Sequence, residues 1–367
     1  MLQRVYPIVK FHTSQGWLDF VEPAAVIAAF SLAEVLPALA EVENLVRRGL
    51  WAVGFVSYEA AAAFDAACVT RTAVPQLPLV WFALYEEAAP CPAPSAAVRA
   101  LNWQAELDFG TYAASLARLR EHILKGDIYQ ANFTQRLTAA ADRSALRGLA
   151  GQPQAVYGAV IETEAFAIYS ASPELFFECA GGRIVCRPMK GTAPRGATPA
   201  ADASLKAGLA ACEKNRAENL MITDLMRNDL GRIARPGTVE VPELFTVETY
   251  PGLFQLTSTV TARTCAGLTE IMQALFPCGS ITGAPKIRSM QLISALEHSP
   301  RGVYTGALGY LAPNGAMRFS VAIRCAQVLG RQAFYGVGGG IVWDSEAEAE
   351  WRECRLKAAI LGAAALG

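Results

Sequence analysis

Strand-like stretches joined by short turns limit this chain more than any other feature. Residues 304–312 and 316–328 are both apolar and strand-like, and only Pro313-Asn314-Gly315 separates them. A turn of that kind closes an antiparallel hairpin, whereas parallel neighbours need a crossover of a dozen residues or more. Residues 155–161 and 165–170 form a second such pair. Helix-like and strand-like segments otherwise alternate irregularly. The pattern predicts an α+β fold with large antiparallel sheets, not a doubly wound parallel sheet.

Further strands are expected over residues 49–58, 77–85, 127–138 and the glycine-rich 333–343. Leu116, Leu119, Ile123 and Leu124 repeat at helical spacing over residues 111–125, and Gly126 is a stop signal. Helices are also expected over 202–230, 268–276 and 286–297. A last helix is expected from Ser345, with Glu348 completing a capping box. Pro90, Pro92 and Pro94 mark a linker over 88–95. Residues 1–100 are therefore expected to form an N-terminal subdomain and 105–367 a larger domain, the two packing as one compact unit.

The 367 residues carry a net charge of −1 and are 53% hydrophobic. That excludes a disordered chain, and no basic block suits nucleic acid. No apolar span reaches membrane length. Residues 1–7 lack the apolar core and cleavage site of a signal peptide. The nine cysteines never form a Cys-x-x-Cys pair and are expected as buried free thiols in a cytoplasmic protein.

Candidate chemistry clusters in a few places. Arg187-Pro188-Met189-Lys190-Gly191-Thr192-Ala193-Pro194-Arg195-Gly196 cannot lie inside a helix, and it places three cations on one loop. Glu346, Glu350, Glu353 and Lys357 share one face of the last helix, where carboxylates suit a hard cation. A solvated acidic helix is an equal reading of the same spacing. Glu218 could supply a second metal carboxylate, and magnesium is the natural ion. Residues 279–286 precede a helix whose backbone amides suit a carboxylate. The glycine-to-lysine spacing is wrong for a nucleotide phosphate loop, and Ile287 stands where such a loop needs Ser or Thr. Arg324, on a strand, is a candidate carboxylate clamp.

Five motifs in order then resemble the chorismate-utilising enzymes. They are Ser172-Pro173-Glu174, Pro188-Met189-Lys190-Gly191-Thr192, Asp224-Leu225-Met226-Arg227-Asn228-Asp229-Leu230-Gly231-Arg232, Gly279-Ser280-Ile281-Thr282-Gly283-Ala284-Pro285-Lys286, and Gly339-Gly340-Ile341-Val342 with Asp344-Ser345. Gly54-Phe55-Val56-Ser57-Tyr58-Glu59-Ala60 adds an N-terminal likeness. The resemblance implies antiparallel sheets packed as a sandwich, helices outside, and an active site in the cleft between them.

Within that family, members making anthranilate, isochorismate or salicylate place alanine before Gly-Thr. Lys190 stands there in this chain, similar to the branch that makes aminodeoxychorismate. Water-adding members carry a lysine base where this chain has Gln130, and a glutamine cannot take a proton from water near neutral pH. The resemblance implies Glu174 as general acid and Lys190 as nucleophile, its pKa lowered by Arg187 and Arg195. It implies magnesium on Glu218 and Glu353 with Glu350 close by. Arg324, Tyr304, Gly283, Ala284, Thr192 and Lys357 would hold chorismate. A separate glutamine amidotransferase would supply ammonia. Competing readings are an anthranilate synthase large subunit and a non-catalytic protein that binds chorismate or tryptophan.

Overall fold

The computed structural model describes residues 6–250 and 253–362, so the first five residues of the leader reading lie outside it. The fold is α+β and is built on two ten-stranded sheets in which every pairing is antiparallel. The first sheet is centred on Gln130–Ala140, Gln332–Ile341, Cys325–Leu329 and Phe166–Ser172. The second is centred on Leu253–Arg263, Arg183–Cys186, Leu175–Ala180 and Met317–Val321. Residues 8–90 supply strands to both: Ile8–Thr13 and Gly16–Phe20 extend the first, and Ala25–Ala29, Trp51–Val56 and Val80–Tyr85 extend the second.

Side-chain alternation along the strands makes four layers. Phe11, Phe20, Ile161 and Ile168 from the first sheet meet Phe55, Trp81, Tyr85 and Leu308 from the second in the inter-sheet core. On the far side of the first sheet, Ala131, Phe133, Leu137, Tyr335 and Val337 pack on the helices Phe109–Leu124 and Ala347–Ala358. On the far side of the second, Val35, Leu39, Ile222, Met226 and Ile271 close a third core. Among the described residues no helix is long and apolar enough to cross a membrane. All nine cysteines are free, and six of them are buried, while Cys265 is exposed.

The chain changes sheet twice in one place. It leaves the first sheet at Ser172 and enters the second at Leu175 through Pro173 and Glu174. It returns from Val321 to Cys325 through Ala322, Ile323 and Arg324. The crossings are laced together: Val321 N donates to the Glu174 carbonyl at 3.1 Å, and Ala171 N donates to the Arg324 carbonyl at 3.0 Å. The Ser172 hydroxyl donates to the Val321 carbonyl at 2.6 Å.

Three expectations change here. Residues 316–328 are not one strand: they divide into Met317–Val321 and Cys325–Leu329 in opposite sheets. Arg324 therefore lies off the strands, at a φ of +50° that few non-glycine residues adopt. The helix over 202–230 is two helices, Pro199–Ala211 and Glu213–Gly231, broken by extended backbone at Cys212. The last helix begins at Ala347 without a side-chain cap, because the Ser345 hydroxyl binds Val342 N and the Glu350 carboxylate instead.

Strand contacts in the second sheet leave no room at Gly54. An added Cβ would lie 1.9 Å from the Trp81 carbonyl oxygen and 2.8 Å from the Phe82 Cα. Gly54→Ala should lower stability by about 1–3 kcal/mol. Urea unfolding should show this as a lower midpoint with an unchanged slope.

Candidate active site

Glu174 lies in one crossing and Arg324 in the other, so sheet connectivity places them. Glu174 is 4% exposed. Its Oε1 has no hydrogen-bond partner. Burial raises its carboxyl to about 7, against the opposing pull of the Ser280 hydroxyl, Lys190 and Lys357. It therefore titrates near neutrality and still carries its proton in about half of the molecules at pH 7. Arg324 forms no ion pair among the described residues. Burial lowers its pKa, and nearby Tyr335 opposes this. A half-buried, unpaired guanidinium favours an incoming anion.

Lys190 lies on the edge strand Met189–Pro194, which pairs with Leu253–Arg263. The register slips between Met189 and Thr192, leaving Lys190 and Gly191 in a bulge. Bulges of this kind re-aim side chains. Gly191 has a φ of +83°, and a Cβ there would strike Asn215 at 2.7 Å, so the bulge needs glycine. The amine it aims comes to rest over Gly340. A Cβ at Gly340 would lie 2.9 Å from Lys190 Nζ and 2.9 Å from Gln130 Nε2. Gln130 is fully buried, and neither its Nε2 nor its Oε1 has a partner. Two unpartnered amide atoms and an amine thus converge above a residue without a side chain.

The adjoining glycine of the same run meets the last helix. A Cβ at Gly339 would lie 3.1 Å from Glu350 Oε2, 3.6 Å from Glu353 Oε1 and 3.8 Å from Lys357 Nζ. Lys357 Nζ binds Glu353 and the Gly338 carbonyl, each at 2.6 Å. Burial raises the Glu350 carboxyl, and neighbouring Glu353 adds to that while Ser345 opposes it. Partial burial alone would raise Glu353, but Lys357, Lys190 and Lys214 bring it below its ordinary value. Glu218 comes from the facing helix Glu213–Gly231. Burial raises it, with Lys190 and Lys214 opposing and Glu353 reinforcing the shift. Among the described residues no three His, Cys, Asp or Glu side chains stand as a preassembled cation site. The donor chemistry nevertheless suits magnesium: Glu350 and Glu353 share one recess, floored by a glycine, with Glu218 in their field.

Tyr304 is buried, and its ring covers Gly336, where a Cβ would come within 2.1 Å. Gly283 and Ala284 pair with Ala131 and Gln130. A Cβ at Gly283 would strike the Gln130 carbonyl oxygen at 2.2 Å, so this close approach also requires glycine. Thr192 is drawn elsewhere. It is exposed, and its hydroxyl donates to Gln255 Oε1 at 2.9 Å. The two arginines expected beside Lys190 are engaged by carboxylates instead. Arg187 is paired with Glu248, and Arg195 with Asp202 at 2.7 Å. Residues not anticipated from sequence are Ser280 beside Glu174, Ser345 on Glu350, and Lys214 among the carboxylates. Lys214 lies four residues before Glu218, the one spacing that could have signalled it.

This arrangement has relatives. Residues 8–362 match the family of chorismate binding enzymes. The chain belongs to that family. It is 42% identical over 284 residues to aminodeoxychorismate synthase component 1 of Klebsiella aerogenes, 76% of this chain and 62% of that one. It is 38% identical over 266 residues to anthranilate synthase component 1 of Streptomyces coelicolor, 69% of this chain and 50% of that one. The chain thus spans less than two thirds of the length of these curated relatives. Anthranilate synthase component I from Streptococcus pneumoniae TIGR4 shares the fold, with a TM-score of 0.80 at 24% identity over 99% of this chain and 94% of that one.

As a chorismate binding enzyme the chain carries Glu174 at a cost to its stability. The folded carboxyl is raised from 4.5 to about 7, so the folded state resists ionisation. The penalty begins as pH rises above the unfolded value and is complete above the folded one. Glu174→Gln should therefore stabilise the fold by about 2–3 kcal/mol at pH 8, with the gain vanishing near pH 4.5. Denaturant unfolding of both proteins across that range measures it.

Proposed function

We propose that this chain converts chorismate and ammonia to 4-amino-4-deoxychorismate, the precursor of 4-aminobenzoate and folate. The observation that carries the reading is the meeting of Lys190 Nζ and Gln130 Nε2 over Gly340, near a buried Glu174 whose carboxyl is raised to about 7. Arg324 and Tyr304 bind the enolpyruvyl carboxylate, with residues 283–284 and Lys357 as further contacts. Glu174 donates its proton to the departing ring hydroxyl, which leaves as water. The Lys190 amine adds to the far end of the allylic system as that bond breaks. Ammonia then displaces the lysine and delivers the amine to the ring. Gln130 can hydrogen-bond an amine but cannot deprotonate water, which disfavours hydroxylation.

Glu350, Glu353 and Glu218 would hold magnesium, which when bound supplies positive charge against the ring carboxylate. Ammonia would come from glutamine through a separate amidotransferase, a reading supported by the "component 1" in the relatives' names. A reducing cytoplasm suits nine unpaired cysteines. Anthranilate synthesis is the second reading, and Lys190 and the higher identity to aminodeoxychorismate synthases disfavour it.

Product analysis tests the proposal. The purified chain is incubated with chorismate, magnesium and ammonium, and the products are separated. Appearance of 4-amino-4-deoxychorismate without pyruvate is expected, and Lys190→Ala should lower the rate by about 100-fold or more. Anthranilate with pyruvate would overturn the assignment. At constant free ammonia the rate should fall as pH rises through about 7, where Glu174 loses its proton.

A further inference from the structure

Behind the site lies a buried charge network that the chemistry above does not use. Arg301 is 5% exposed, and all five of its guanidinium donors are taken. Nε donates to Glu297 Oε2 at 2.9 Å, and Nη2 donates to Glu297 Oε1 at 2.7 Å. Nη2 also donates to the Asn132 carbonyl at 2.7 Å. Nη1 donates to the Ile281 carbonyl at 2.9 Å and to the Thr305 hydroxyl at 3.3 Å. The guanidinium lies 4.5 Å from the centre of the Tyr58 ring.

The two carbonyls are the informative partners. Asn132 is two residues from Gln130, and Ile281 is two residues from Gly283. The strand and loop they belong to already touch, through Asn132 N on the Thr282 carbonyl at 2.8 Å. Gln130 has no side-chain partner, and Gly283 has no side chain. Hydrogen bonds to the backbone therefore hold both: the Ser289 hydroxyl donates to the Gln130 carbonyl at 2.8 Å, and Arg301 grips the backbone of each segment two residues away. Glu297 adds a second hold, accepting from Thr134 N at 2.8 Å and from its hydroxyl at 2.7 Å. Arg301 is itself fixed from residue 59: Glu59 accepts from Arg301 N at 2.7 Å and from Gly302 N at 3.0 Å.

We propose that Arg301 is a positioning residue for the reaction, a clamp that fixes the Gln130 strand and the Gly283 loop against each other at the edge of the substrate site. A lysine in its place would keep the charge opposite Glu297. Its three donors on one nitrogen cannot reach Glu297 and both carbonyls in the geometry of a planar fork. The strand and loop would drift by a fraction of an ångström to an ångström, enough to reduce the rate without removing any group that touches substrate.

The proposal rests on the chorismate reading, and its test is arranged so that the two can fail separately. Chorismate consumption and product identity are followed together in the wild type and in Arg301→Lys. Amide hydrogen exchange is measured on both. The expected result is a kcat lowered by about 10- to 100-fold, with KM for chorismate within about threefold. Exchange should quicken in the peptides around residues 128–136 and 279–286 and stay slow elsewhere. A different wild-type product would overturn the functional reading and leave this comparison intact. A folded Arg301→Lys with wild-type kcat would overturn the clamp. So would a loss of activity that only follows the folded fraction, with faster exchange throughout. If Arg301→Lys does not fold, Glu59→Gln loosens the same segment from behind without stranding a buried charge. It should lower kcat in the same direction by about 3- to 10-fold, and an unchanged kcat there would overturn the clamp equally.

Discussion

The hydrogen-bonded pair of sheet crossings is the constraint on which the site depends. A strand that leaves one sheet for another must pass through backbone that neither ladder can satisfy. Here the two crossings satisfy each other, through Val321 N on the Glu174 carbonyl and Ala171 N on the Arg324 carbonyl. The arrangement places Glu174 and Arg324 in backbone outside both ladders, one in each crossing. It also accounts for Arg324 standing at a strained φ of +50°, a conformation that surrounding structure must hold in place.

Glycine makes the rest possible. Strands normally present side chains on both faces, but residues 338–340 present none. Lys190 and Gln130 close over Gly340, and Glu350, Glu353 and Lys357 over the adjoining Gly339. The site is electrostatically demanding. Glu174, Glu218 and Glu350 are all raised by burial, and Lys190 is among the charges acting on Glu174, Glu218 and Glu353. Poorly solvated carboxylates and unpartnered amides weaken a fold and serve a reaction.

Much of this was legible in sequence because each motif carries its own local chemistry. The glycine run, Glu350 and Glu353 at helical spacing, Lys190 and Glu174 could all be singled out residue by residue. The crossings could not. Ala322 and Ile323 continue the apolar character of the strands on either side, so nothing in the periodicity marks the change of sheet. Nor does the proline-rich stretch after residue 88 separate two sheets. Strands before and after it share hydrogen bonds, as in Trp51–Val56 with Ala307–Leu311. The engagement of Thr192 with Gln255 and of Ser345 with Glu350 depends on partners distant in sequence or on a cap displaced by a stronger acceptor. Arg187 and Arg195 read as cations near Lys190, but their charges are answered by Glu248 and Asp202, at positions the linear sequence does not connect.

The central claim is geometric: chorismate reacts over Gly340, between Lys190 and Glu174. A crystal structure of Glu174→Gln with chorismate and magnesium tests it most directly, since that variant keeps the site's shape and removes the proton donor. The account predicts the ring over Gly340 with Lys190 Nζ within about 3.5 Å of a ring carbon. It also predicts the ring carboxylate toward Glu350 and Glu353 and the enolpyruvyl carboxylate on Arg324. A ring bound away from Gly340, or with Lys190 directed to solvent, would contradict it.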